Sequence, residues 1–288
     1  MNRRSLLFMP GNNPGMLTTA DVLGADTIVF DLEDAVSLNE KDSARTLVKE
    51  ALSFLRFTHS EVSVRINPFD SPYWQDDLKF IVAAKPDSIV IPKASVESVR
   101  AMEAEMNRLK GLYGIDKDIR FILIIETAMG LVDIKNIVES SHLIDGLILG
   151  AEDLSSDLGI RRSKSNKEIE YARYVIATTA RAFRIDAIDT PYTDIDDFEG
   201  LARDTAFAKS LGFCGRLAIN PRQVETLHEV FSPAKEDINE ALAILQEADE
   251  ASKMGLGVFS YKGKMVDLPV IKRAENTIAS AKRWGLIR

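Results

Sequence analysis

Two acids close two short apolar runs, Arg120-Phe-Ile-Leu-Ile-Ile-Glu126-Thr and Gly146-Leu-Ile-Leu-Gly-Ala-Glu-Asp153. Each run is too short for a helix and rich in β-branched residues, the pattern of a strand buried on both faces. An acid ending such a strand sits at the rim of the sheet, or inside it with a partner. Two strands of this kind set Glu126 and Asp153 side by side at a carboxyl rim, where α/β folds bind ligands. The two carboxylates repel unless a cation lies between them, and an incomplete set of oxygen ligands suits Mg²⁺, with substrate and water completing the shell. The same positions also suit N-caps, since Glu126-Thr and Asp153-Leu-Ser both precede helical segments. Spacing leaves both readings open.

Arg65 interrupts the apolar run Val64-Arg65-Ile66 and needs a carboxylate or an anionic ligand near the mouth of the fold. It can pair with Glu33, donate to a developing oxyanion, or do both. Asp31-Leu-Glu33-Asp34 nearly matches the Asp-x-Asp nucleophile motif of haloacid-dehalogenase phosphatases, but its second acid is Glu and that motif belongs to an open sheet. The plainer reading has Asp34 capping a turn and Asp31 facing a helix. His59 and His142 precede strands, and His228 lies in a helix, so neither histidine catalysis nor a zinc site is expected. Cys214 reads as a small core residue. The Gly11–Gly15 loop beside Arg3 and Arg4 is a turn with scope for anion contact. Arg161-Arg-Ser-Lys164 reads as a solvated loop that could meet an anionic carrier.

These residues hang on a repeat. Strands are expected at Arg4–Met9, Thr27–Glu33, Glu61–Asn67, Ser88–Lys93, up to Glu126, up to Asp153, Asp186–Asp189 and Gly215–Asn220. A helical segment follows each, including Glu40–Leu55, Asp133–Ser140 and Lys167–Phe183. Eight strand–helix units predict a closed (β/α)8 TIM barrel. That fold takes roughly 250 residues, so residues 1–233 are expected to form the catalytic barrel and 234–288 an appended, largely helical extension, a lid packing on the mouth or on a neighbouring subunit. The formal charge of −8 recommends neither nucleic acid nor an anionic membrane, and no run approaches a membrane span. A single Cys excludes a disulfide framework. A soluble, cytoplasmic oligomer is expected.

Five motifs also carry a resemblance along the whole chain: Arg4-Ser-Leu-Leu-Phe-Met-Pro-Gly11-Asn-Asn-Pro-Gly15, Val29-Phe-Asp-Leu-Glu-Asp-Ala-Val36, Val64-Arg-Ile-Asn67, Ile124-Ile-Glu-Thr127 and Leu149-Gly-Ala-Glu-Asp-Leu154. Together they resemble the citrate lyase β-subunit family of malyl-CoA, citramalyl-CoA and citryl-thioester lyases. The resemblance implies a (β/α)8 barrel, Mg²⁺ held by Glu126 and Asp153, and a substrate-binding, catalytic arginine at Arg65. Gly263-Lys-Met-Val-Asp267-Leu-Pro resembles a motif that places an acid over a neighbour's active site, which implies a catalytic proton donor at Asp267. Glu33 and Asp34 are expected behind Arg65, and Arg4, Glu126 and Glu152 among the substrate contacts. The chemistry implied is retro-Claisen cleavage of a citryl thioester, carried by acyl carrier protein or CoA, into oxaloacetate and an acetyl thioester. The implied partners are separate α and acyl-carrier subunits, and the implied assembly is a homotrimer or larger. The alternatives are a free-standing malyl-CoA or citramalyl-CoA lyase or synthase, a non-catalytic scaffold subunit, and phosphatase chemistry at Asp31.

Overall fold

The repeat of short apolar strands closes on itself. In the computed structural model, which describes residues 3–287, β1 (Ser5–Pro10), β2 (Thr27–Asp31), β3 (Glu61–Arg65), β4 (Ser88–Ile91), β5 (Arg120–Ile125), β6 (Ile144–Leu149), β7 (Asp186–Asp189) and β8 (Gly215–Ala218) form a parallel barrel in sequence order, and β8 returns to β1. Every residue of β2 and β4 is buried, as strands covered on both faces require. Met1, Asn2 and Arg288, the outermost residues of the two expected domains, lie outside the described residues.

One apolar cluster draws Leu6, Val29, Val90, Ile122, Ile148, Ile188 and Leu217 from seven of the eight strands. Strand β3 differs. Its register pairs Thr27 with Glu61, Val29 with Ser63 and Asp31 with Arg65, so the face that carries Val29 continues as a polar stripe. Glu61 begins that stripe and Arg65 ends it. At the amino-terminal end the fully buried Arg3 meets Glu61 at 2.7 Å and Asp145 and Asp186 at 3.1 Å, which compensates its burial.

The helical segments follow the expected order, with a local difference after β5. In place of a single helix over 133–140, the chain forms Ala128–Val132 and Ile134–Glu139, because the Thr127 hydroxyl accepts the Gly130 N–H at 2.9 Å and starts a turn early.

The chain divides into two compact units, 3–228 and 229–287, the division falling within the helix Gln223–Phe231. In the second unit the helices Lys235–Lys253 and Leu268–Arg283 share a small core of Ala241, Ile244, Val266 and Ala274 with an antiparallel hairpin, β9 (Phe259–Tyr261) and β10 (Lys264–Val266). Lys262 and Gly263, both at positive φ (48° and 75°), make its two-residue turn. Among the described residues no helix is long and apolar enough to cross a membrane.

Candidate active site

The β2–β3 register sets Asp31 directly opposite Arg65 at the carboxyl ends of the strands. Arg65 Nε and Nη2 donate to the two Asp31 carboxylate oxygens at 2.7 and 2.6 Å, a planar fork on a planar acceptor. Its Nη1 lies 2.8 Å from Glu33 Oε2 and 3.3 Å from Asp34 Oδ2, and its guanidinium stands over the Phe8 ring at 5.2 Å. Burial opposes the Arg65 charge, but the Asp31 hydrogen bonds and the Asp31 charge, with help from Asp34, outweigh it and hold the group protonated. Asp31 also accepts the N–H groups of Glu33 (2.9 Å) and Ala35 (3.0 Å). With four donors on a buried carboxylate, Asp31 has no free oxygen for nucleophilic attack. That and the closed barrel overturn the phosphatase alternative; Asp31 anchors Arg65 instead.

The turn that carries these acids is itself fixed. Lys41 Nζ donates to the carbonyls of Leu32 (2.8 Å) and Glu33 (2.6 Å), and Asn67 Nδ2 reaches the Leu32 carbonyl at 3.0 Å. Glu33 is nearly buried beside Asp34, Glu126 and Asp31, and burial, only partly opposed by Arg65, pushes its carboxyl up to about 8.

Glu126 follows the last residue of β5 and turns away from its own helix. Its Oε1 accepts the Lys93 N–H at 2.7 Å, a donor that Lys93 presents from a left-handed conformation at φ 46°. Its Oε2 accepts no hydrogen bond from a described residue. The cap of the following helix is Thr127, so Glu126 is free of that task. Strand β6 stops at Leu149, four residues before the expected end, because the helix Ala151–Asp157 begins at once and takes Asp153 into its first turn. Gly150 makes the junction possible: a Cβ there would lie 2.5 Å from Glu126 Cβ and 2.6 Å from Glu126 Oε2. Burial first, and then the Asp153 charge, push the Glu126 carboxyl up to about 7 against the Lys93 hydrogen bond and Arg65.

Arg65, Glu126, Asp153, Asp31 and Asp34 all line one cavity of about 480 Å³, walled by apolar residues of β1, β5 and β8 that include Phe8, Ile124 and Leu217. Among the described residues no group of three or more His, Cys, Asp and Glu side chains gathers as a metal cluster. The fit is therefore to a cation that takes two protein carboxylates and keeps water or ligand oxygens elsewhere, which is the habit of Mg²⁺. The free Glu126 oxygen, the nearby Asp153 charge and the clearance at Gly150 are the features that suit it.

The description HpcH/HpaI aldolase/citrate lyase matches this chain over residues 4–221. The chain belongs to the HpcH/HpaI aldolase/citrate lyase family. Within it, this citrate lyase relative is 41% identical to the citrate lyase subunit beta of Leuconostoc mesenteroides subsp. cremoris, over 99% of this chain and 95% of that one. It is 32% identical to the human mitochondrial citramalyl-CoA lyase, over 97% and 85% of the two chains. A crystal structure of CitE from Mycobacterium tuberculosis with magnesium, acetoacetate and coenzyme A is similar with a TM-score of 0.80 and 26% identity, covering 98% of each chain. The protein is a carbon–carbon lyase of the citrate lyase β type.

Within this family member, the sequence-predicted residues separate into groups. Arg65, Asp34, Glu126, Glu152 and Asp153 line the cavity, and Glu33 adjoins it through Arg65. Arg4 does not join them. It precedes β1 and pairs with Asp26, just before β2, at 2.9 Å, which places it at the amino-terminal end of the barrel with Arg3 and corrects its expected role as a substrate contact. Glu152 is exposed and bound by Arg162 at 3.0 Å. Arg162 also donates to Asn166, and Lys164 pairs with Asp194 at 3.2 Å, so much of the rim's basic run is internally neutralised. Asp267 belongs to the second unit, where its carboxylate accepts the Val270 N–H at 3.3 Å and caps the last helix. The residues that sequence reasoning missed are Asp31 as anchor, Lys41 beneath the turn, the Lys93 N–H and Gly150. The β2–β3 pairing held the signal for Asp31; nothing in the sequence singles out Lys93.

Proposed function

We propose that this chain is a Mg²⁺-dependent lyase that cleaves a citryl thioester into oxaloacetate and an acetyl thioester. The observation that carries the reading is the convergence of one anchored guanidinium and the two carboxylates Glu126 and Asp153 on a single cavity. Glu126 and Asp153 would hold Mg²⁺, which when bound supplies Lewis-acid polarisation of the hydroxyl and carboxylate oxygens of the substrate. In the cleavage the hydroxyl loses its proton and becomes the ketone of oxaloacetate. The electrons of the breaking carbon–carbon bond pass to the thioester as an enolate, whose carbon then takes a proton to give acetyl, so no proton is consumed overall. Arg65, held by Asp31, is the donor for the developing oxyanion. Backbone N–H groups near Glu152 and Asp153 serve the product carboxylate, and Asp267 supplies the proton.

The same reading makes the functional particle a homo-oligomer, a trimer or larger. In the second unit Met254, Leu256, Val258, Met265 and Leu268 are all exposed within fifteen residues, which favours burial against another surface. The thioester is carried by acyl carrier protein or CoA; the citrate lyase likeness favours a carrier working with separate α and acyl-carrier subunits. The 32% identity to a citramalyl-CoA lyase favours a second reading, a free-standing CoA-thioester lyase with the same site and another acyl group.

Purified protein with Mg²⁺ and citryl-CoA, with citramalyl-CoA and malyl-CoA in parallel, separates these readings. Oxaloacetate released with Mg²⁺ and abolished by chelator or Glu126→Ala is the expected result. Cleavage of citramalyl-CoA or malyl-CoA alone moves the chain to the second reading. Cleavage that survives both chelator and Glu126→Ala overturns the site.

A further inference from the structure

Three of the donors of Arg65 are committed to acids of one turn. A guanidinium offers five N–H groups. Nε and one N–H of Nη2 go to Asp31, while Nη1 faces Glu33 Oε2 at 2.8 Å and Asp34 Oδ2 at 3.3 Å. One Nη2 hydrogen is uncommitted, and the Glu33 contact is an ion pair without a hydrogen bond, since Glu33 Oε2 has no hydrogen-bond partner among the described residues, so Asp34 holds the one Nη1 hydrogen bond. The three acids are not equivalent, however. The Asp31 side chain is 2% exposed and that of Glu33 7%, whereas Asp34 is 71% exposed, has the longest contact and lines the cavity. Breaking the Asp31 pair would strand a buried charge, but parting Asp34 at this distance costs little, because water resolvates its exposed carboxylate and Asp31 still holds the guanidinium.

We propose that Asp34 is a placeholder on Arg65: it occupies the Nη1 donor that an oxyanion or carboxylate of the bound ligand takes, and it moves into solvent when that ligand arrives. Asp31 and Glu33 stay and keep the guanidinium aimed. The arrangement gives selectivity as well as shielding. A neutral carbonyl is a weaker acceptor than the carboxylate it must replace, while a charged oxygen replaces it on equal terms. Asp34 is thus a specificity-determining residue that sets the ligand class at Arg65 to anions. The inference rests on the reading of Arg65 as the anion receptor.

Calorimetric titration of the full-length protein with oxaloacetate in the presence of Mg²⁺ tests it, alongside a crystal structure of that complex. Asp34→Asn is expected to tighten the oxaloacetate Kd about three- to fivefold, the loss of one exposed competing pair, and Asp34→Glu to stay near the wild-type value. In the wild-type complex the Asp34–Arg65 contact is expected to be gone, with Asp34 turned to solvent. An unchanged or weaker Kd in Asp34→Asn overturns the placeholder role, and so does a complex in which oxaloacetate sits at Arg65 with the Asp34 contact intact. That structure also separates displacement from repulsion through space, and it stands even where Asp34→Asn fails to fold. If Arg65→Met binds oxaloacetate as well as wild type does, Arg65 does not hold a product carboxylate and this inference falls, while loss of Mg²⁺-dependent thioester cleavage in the same variant leaves the functional reading of Arg65 as oxyanion donor standing.

Discussion

Glu33 lies 2.8 Å from a guanidinium, yet its carboxyl is pushed up to about 8, since burial beside Asp34, Glu126 and Asp31 outweighs one cation. The consequence is a stability that depends on pH. Between the ordinary value of 4.5 and about 8 the folded chain holds a proton on Glu33 that the unfolded chain has released. Stability from this group is therefore complete below about 4.5 and is lost progressively as pH rises to about 8. The loss is on the order of a few kcal/mol for a nearly buried group. In chelator-treated protein the unfolding midpoint should fall from pH 5 to pH 8, and Glu33→Gln should make that fall shallower, with Glu126, pushed up to about 7, supplying a part that remains. A wild-type midpoint that rises over the same range would place the Glu33 proton wrongly.

Elements decide whether those side chains meet. The eight βα units and the strand that carries Arg65 are legible in the sequence, because buried parallel strands read as continuous apolar runs and a lone guanidinium breaks one of them. What they do to one another is set by register and by turns, which hydrophobic pattern does not encode. Asp31 lands opposite Arg65 only through the β2–β3 pairing, and Arg4 lies at the opposite end of the barrel although it opens the first motif in sequence. Asp153 reaches the cavity from the first turn of a helix and not from a strand end, because Gly150 lets the backbone pass Glu126 at a distance no side chain permits. Gly150→Ala tests that junction. Its Cβ would collide with Glu126, so the carboxylate shifts by the better part of an ångström, which is worth about a hundredfold in rate. The strain on folding is of similar size, about 1–3 kcal/mol. The expected outcome is a folded barrel with a modest fall in unfolding midpoint, weakened Mg²⁺ binding and a large loss of thioester cleavage; near-normal cleavage would show that Glu126 needs no such clearance.

At the scale of the whole molecule the open matter is where the last acid acts. Asp267 caps the final helix of the second unit, a structural task that by itself explains an Asp at that position. The proposed catalytic role adds a condition, which is that its carboxylate reaches a cavity formed entirely by residues of the first unit, in the same chain or in a neighbour. Complementation distinguishes the two. Glu126→Ala and Asp267→Ala chains, each inactive alone, are co-expressed with different tags and the mixed oligomer is isolated. If the acid acts on the neighbour's cavity, head-to-tail pairing in a closed ring makes about one site in three of a mixed trimer wild type at both positions, and that share of the activity returns. If it acts within its own chain, every site lacks one residue and the mixture stays inactive. A third result, in which Asp267→Ala and Asp267→Asn both retain full cleavage, would leave Asp267 as a helix cap alone and assign the proton to another donor at the cavity.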